Sequence, residues 1–182
     1  PIMVYFFGKR WYCSWVCGCG GLAETLGDPY RQHSDKSLFA WKVERYLIHT
    51  VLLFVLVMTA MTLYSFFSDT GTVLGIKTST VQSIYSLVIG SIFAGVIGTG
   101  FYPIFGNRVW CRFGCPLAAY LGFVQRFKSR FRITTNGGQC ISCGNCSTYC
   151  EQGIDVRAYA QKGENIVRSS CVGCGVCSAV CP

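Results

Sequence analysis

The sequence predicts a membrane α-helical chain, with at least two transmembrane helices, followed by a small C-terminal α+β domain organised by cysteines. Three observations carry this. Two apolar stretches of spanning length contain no Lys, Arg, Asp or Glu. Charged residues make up only 13% of 182 residues and hydrophobic residues 51%, where an ordinary soluble domain carries about 25% charged residues. Thirteen cysteines are present, eight of them in two closely spaced runs near the C-terminus. The apolar content excludes intrinsic disorder, and the long apolar runs exclude a small secreted disulfide scaffold.

The chain divides into four segments. Residues 1–45 hold the end of an apolar stretch (PIMVYFF) and a C-x3-C segment. Because the chain opens on Pro1 within such a stretch, it is expected to be part of a longer protein with more membrane helices. Residues 46–105 form a hairpin of two spans, Tyr46 to Phe67 and Ser83 to Phe105, each meeting the roughly 20 apolar residues that a crossing needs. Residues 106–135 hold a second C-x3-C segment, followed by Pro116, and a basic linker. Residues 136–182 carry the two cysteine runs. Of 16 basic residues, 15 lie in residues 8–45 and 106–182, and one, Lys77, lies in the intervening loop Ser68 to Gln82. The positive-inside rule then sets both cysteine regions on the cytoplasmic side of a bacterial or archaeal inner membrane, where thiols stay reduced. Ser86, Gly90, Ala94 and Gly98 recur every four residues, a small-residue face suited to close helix contact.

The C-terminal runs are Cys140-x2-Cys143-x2-Cys146-x3-Cys150 and Cys171-x2-Cys174-x2-Cys177-x3-Cys181-Pro182. This duplicated spacing is that of bacterial two-cluster ferredoxins, in which three near thiolates hold one [4Fe–4S] cluster and the fourth cysteine reaches the other. One cluster is expected on Cys140, Cys143, Cys146 and Cys181, and the other on Cys171, Cys174, Cys177 and Cys150. Cys-x2-Cys also binds zinc, but zinc takes four ligands from two such pairs, not two runs of four. Glu151 follows Cys150 where Pro182 follows Cys181. That change is expected to leave ligation intact.

Five cysteines remain. Gly8-x-Arg10-x2-Cys13-x3-Cys17 matches Gly106-x-Arg108-x2-Cys111-x3-Cys115 at a constant offset of 98, each after an apolar stretch, an internal repeat. Cysteines at i and i+4 share one helix face, so two such helices would present four thiolates: a further cluster or metal site on Cys13, Cys17, Cys111 and Cys115, with Cys19 as an alternative ligand. Redox-active thiols, or thiols with no cofactor, are the other readings. Arg10, Arg108 and the nearby tryptophans suit a membrane interface, where cations snorkel and aromatics anchor. His49, inside the first span, is a candidate quinone contact. The segment QRFKSRFRI (Gln125 to Ile133) interleaves cations with Phe127 and Phe131. An anionic lipid surface suits it better than nucleic acid, for which nothing else speaks, and a solvated linker is the alternative.

Apolar helices, a C-x3-C segment, further helices, a second C-x3-C-Pro segment at Cys111 to Pro116 and a terminal two-cluster domain together resemble the membrane-bound polyferredoxins of the NapH and NosR type. The resemblance spans nearly the whole chain, apart from Gly18-Cys19-Gly20, which replaces the proline expected after Cys17. It implies electron transfer between the quinone pool, or a membrane redox partner, and a partner protein. Such a protein works as a subunit or relay, not a self-contained enzyme. Two other roles fit the residues: an electron-carrying structural subunit of a larger membrane complex, and a maturation factor that reduces a metal such as copper.

Overall fold

The computed structural model describes residues 2–68, 72–73 and 76–182. The chain opens with α1 (Ile2–Phe7), α2 (Arg10–Cys13) and α3 (Gly18–Thr25), followed by a 3-10 turn over Asp28–His33. Helix α4 (Leu38–Phe67) is 30 residues long. Ser37 sets its start by accepting the Ala40 N–H at 3.1 Å. It thus begins about two turns before the apolar stretch at Tyr46, and Glu44 on that extra portion is buried. The loop Ser68 to Gln82 lies partly outside the described residues. Its described part includes an antiparallel pair, β1 (Thr72–Val73) and β2 (Ile76–Lys77), with Thr72 opposite Lys77.

Helix α5 (Thr78–Tyr85) continues over Ser86–Gly100 with π-type winding. It ends there, short of the expected Phe105, because the backbone turns at Phe101 and Pro103 enters the short α6 (Tyr102–Phe105). Both Leu38–Phe67 and Thr78–Gly100 are long and apolar enough to cross a membrane, and almost none of either is covered by the rest of the chain. The small-residue face is only partly used. A Cβ at Gly98 would lie 2.8 Å from Trp110 Cβ, whereas Gly90 meets nothing within 4 Å.

Next come α7 (Val109–Phe113) and α8 (Pro116–Lys128). The last part of the chain holds α9 (Asn145–Thr148), α10 (Val156–Lys162) and α11 (Val176–Ala179). Its β pairing, among the described residues, is one antiparallel bridge between Ile133 and Ile166. Two apolar clusters hold these parts. Val4, Cys13, Ala118, Leu121 and Val172 join α1, α2 and α8 to the C-terminal part. Ile154, Val156 and Ile166 form the centre of the C-terminal part, with four cysteines packed around them.

Candidate metal centre

The internal repeat is reproduced in several backbone hydrogen bonds. Gly8 N–H donates to Val4 O and Gly106 N–H to Tyr102 O, both at 3.0 Å. Ser14 N–H donates to Arg10 O and Arg112 N–H to Arg108 O, both at 2.9 Å. Cys17 N–H reaches Tyr12 O at 2.8 Å and Cys115 N–H reaches Trp110 O at 3.0 Å. Every one of these pairs differs by the sequence offset. Gly8 and Gly106 both take positive φ, +66° and +84°, a turn that glycine makes without a Cβ clash.

The cysteines of each pair do not share one continuous helix, contrary to the i, i+4 expectation. Cys13 closes α2 and Cys111 lies in α7, but both helices stop before the second cysteine. Cys17 and Cys115 sit in extended backbone as the N-caps of α3 and α8, and Cys115 Sγ accepts the Ala118 N–H at 3.4 Å. The four thiols nevertheless come together. Cys13 lies within electrostatic reach of Cys17, Cys111 and Cys115, and Cys19 within reach of Cys17 and Cys111. Burial pushes the Cys13 thiol up to about 12 and Cys115 up to about 11, with Lys9 acting in the opposite sense on both.

The C-terminal cysteines sort into two sets. Cys140, Cys143, Cys146 and Cys181 line one cavity of about 180 Å³, which Cys177 also borders. Cys150, Cys171, Cys174 and Cys177 line a narrower gap of about 20 Å³. Gly144, Gly173 and Gly175 turn the backbone around these cavities with positive φ. Burial raises Cys171 to about 12 and Cys177 to about 11. A buried thiolate is held in that form by a bound cationic centre. Among the described residues, no three Cys, His, Asp or Glu side chains converge on a single ion. Zinc would draw its thiolates to about 2.3 Å from one point. The ring of thiols around the larger cavity fits a multi-atom iron–sulfur group better.

The repeat's cations bond within the protein. Arg108 is fully buried, and its Nε donates to Glu151 Oε2 at 2.6 Å, its Nη2 to Glu24 Oε1 at 2.8 Å and its Nη1 to Cys13 O at 3.0 Å. Arg31 Nη1 holds the other Glu151 oxygen at 2.6 Å. Arg10, the counterpart of Arg108, donates to Cys174 O at 2.9 Å. Lys9 Nζ donates to Ser169 O at 3.2 Å, and Arg112 Nε to the buried Glu44 at 2.7 Å. Lys9, Arg10 and Arg108 thus dock the C-terminal part onto the repeat, and Arg112 docks α4. Arg126, Lys128, Arg130 and Arg132, by contrast, are exposed, as are Lys42, Arg45, Lys77, Arg157 and Lys162. His49 is exposed on α4, with Nδ1 at 2.5 Å from Arg45 O. The importance of Glu151 escapes a reading by spacing. Its one signal is that an acid stands where the second run carries Pro182.

Residues 132–182 match the family described as "4Fe-4S dicluster domain". Residues 1–37 and 87–134, which contain the two C-x3-C segments, match "4Fe-4S binding domain". These matches support an iron–sulfur electron-transport protein. The Escherichia coli (strain K12) protein named "Putative electron transport protein YccM" is 29% identical over 164 residues, 85% of this chain. The chain spans 45% of that relative's length. No solved structure matches.

Proposed function

We propose that the chain is a membrane-anchored polyferredoxin of the NapH and NosR type, relaying electrons between the quinone pool or a membrane redox partner and a partner protein, as a subunit of a larger complex. The observation that carries this reading is a shared core. Cys13 and Cys115 of the C-x3-C pairs pack in the same apolar cluster as Cys174 of the C-terminal part. A thiol of each C-x3-C pair and one of the C-terminal part thus share a single apolar cluster.

In this reading Cys140, Cys143, Cys146 and Cys181 hold one [4Fe–4S] cluster, and Cys171, Cys174, Cys177 and Cys150 hold a second. Cys13, Cys17, Cys111 and Cys115, or Cys19 in place of Cys17, hold a further centre. Such clusters supply one-electron chemistry when bound, at potentials tuned by burial and hydrogen bonding. The protein contributes fixed spacing. Arg10 and Arg108 tie cysteine carbonyls of one part to the other, and the apolar core excludes water between them. Both cysteine regions lie on the cytoplasmic side in this reading, by the placement of Lys and Arg.

The test is anaerobic purification in detergent with iron and sulfide counted per chain and EPR of the reduced sample. About twelve irons are expected, falling to about eight in Cys13→Ser/Cys111→Ser with loss of one EPR component. About eight irons in the unaltered chain would remove the third centre. Reduction of the purified chain by a quinol analogue tests the donor side.

A further inference from the structure

Where α4 and α8 meet the Val167–Ser169 stretch, a crevice of about 220 Å³ opens, lined by Trp41, Arg45, His49, Arg126, Tyr159 and Arg168, with Glu44 also on its wall. Its charge is unbalanced. Glu44, the one acid there, is engaged by Arg112 Nε at 2.7 Å. Arg168 Nη2 comes only to 3.6 Å of that carboxylate, and it is buried without a hydrogen-bond partner. Arg45 and Arg126 have no acidic partner among the described residues. Three guanidinium groups therefore face one small volume whose single negative charge is already committed.

The neighbouring hollow is of the opposite character. It measures about 100 Å³, shares Ile48, His49, Arg126 and Ser169 with the crevice, and continues to Leu52, Ala119, Phe123 and Phe127. Leu52 lies further along α4, within the stretch apolar enough to cross a membrane. Phe123 and Phe127 are exposed on α8. A cationic cup that opens onto an apolar channel matches an amphiphile with an anionic head.

We propose that this crevice binds a phosphate-bearing anion, the fitting occupant being the headgroup of an anionic phospholipid with its chain along Leu52, Phe123 and Phe127. Arginine offers forked donors to phosphate oxygens, and three of them compensate its charge. A neutral quinone ring leaves those charges unbalanced. The lipid source rests on the proposed membrane reading of α4. The phosphate chemistry does not.

The experiment uses the full, cluster-loaded chain in detergent. Native mass spectrometry would follow retention of phosphatidylglycerol, phosphatidylcholine and a short-chain quinone analogue, and calorimetry would follow inorganic phosphate. Arg45→Gln/Arg126→Gln is compared with Lys128→Gln/Arg130→Gln, which removes the same charge from exposed positions outside the crevice. One retained phosphatidylglycerol per chain is expected. Its affinity should fall about thirtyfold in the crevice variant, about fivefold per lost cation, and change little in the control. Phosphate binding with the same variant sensitivity and no lipid preference supports the anion site with a soluble occupant. Equal loss in both variants, retention of the quinone analogue instead, or no retained anion overturns it. If the crevice variant loses its cluster absorbance, Arg126→Lys alone decides: weakened binding supports forked recognition and unchanged binding overturns it. A chain that stays soluble without detergent would refute the membrane reading separately.

Discussion

Removing both members of the Arg108–Glu151 pair should destabilise the protein by less than the two single removals added together. The side chains of Arg108 and Glu151 are 0% and 1% exposed, and their contact is 2.6 Å. Glu151→Gln keeps the shape but removes the charge, which leaves Arg108 with Glu24, 30% exposed at 2.8 Å. Stranding a buried charge costs about 3–5 kcal/mol. The remaining Glu24 contact argues for the lower end, about 3 kcal/mol. For a chain of this size that is a fall of about 6–12 °C in melting temperature. Arg108→Met strands Glu151 with Arg31 alone and also frees Cys13 O and Ser14 Oγ, so a similar or larger loss is expected. The double variant strands neither charge and should fall short of the sum by about 2 kcal/mol. The assay is thermal unfolding of the cluster-loaded protein, followed by tryptophan fluorescence at two salt concentrations. Strict additivity, or single-variant shifts below about 2 °C that vanish with salt, would refute the argument, since that is how a surface pair behaves.

Other outcomes follow from the same contacts. In Gly122→Ala the new Cβ would lie 2.3 Å from Ser169 O, so α8 and the C-terminal part must separate. A loss of about 1–3 kcal/mol is expected, read as a lower melting temperature. After iron removal under reducing conditions, the exposed Cys143 and Cys181 should alkylate quickly at pH 8. Cys13 and Cys171, pushed up to about 12 by burial, should react at least about a hundredfold slower, by mass spectrometry of labelled peptides. Their thiols stay protonated in the folded chain above the pH at which unfolded thiols ionise. The iron-free fold should therefore lose stability as pH rises from about 9 towards 12, measured as a falling denaturant midpoint. Lys9→Met removes the donor to Ser169 O and should lower the melting temperature by a few degrees, about 1 kcal/mol. An unchanged value would mean that this contact does not help dock the two parts.

The sequence displays what is local. Ligand spacing is fixed by a few residues of loop, so the two C-terminal runs can be read directly. The repeat was visible because glycine, arginine and two cysteines coincide at one offset. Spacing alone could not show the break between the cysteines of each pair. Ser14–Val16 permit a helix and do not mark the break before Cys17, whereas Gly114 and Pro116 do mark the break at Cys115, since a residue before proline is pushed out of the α region. The partners of the cations are hidden as well. Arg108 meets Glu151 and Arg112 meets Glu44, 43 and 68 residues apart. Nothing near an arginine in sequence announces whether it will face lipid or a carboxylate folded in from elsewhere.

Glu151 bears on how interchangeable the parts of this protein are. A terminal ferredoxin looks like a cartridge that could be swapped for any other of the same spacing. Here it carries a keyed tooth: the residue after Cys150 enters the buried notch made by Arg108 and Arg31. A donor domain with proline at that position would fill the same outline and leave Arg108 facing only Glu24. Chimeras of this chain should therefore accept foreign ferredoxins only when an acid is transplanted along with the cysteines.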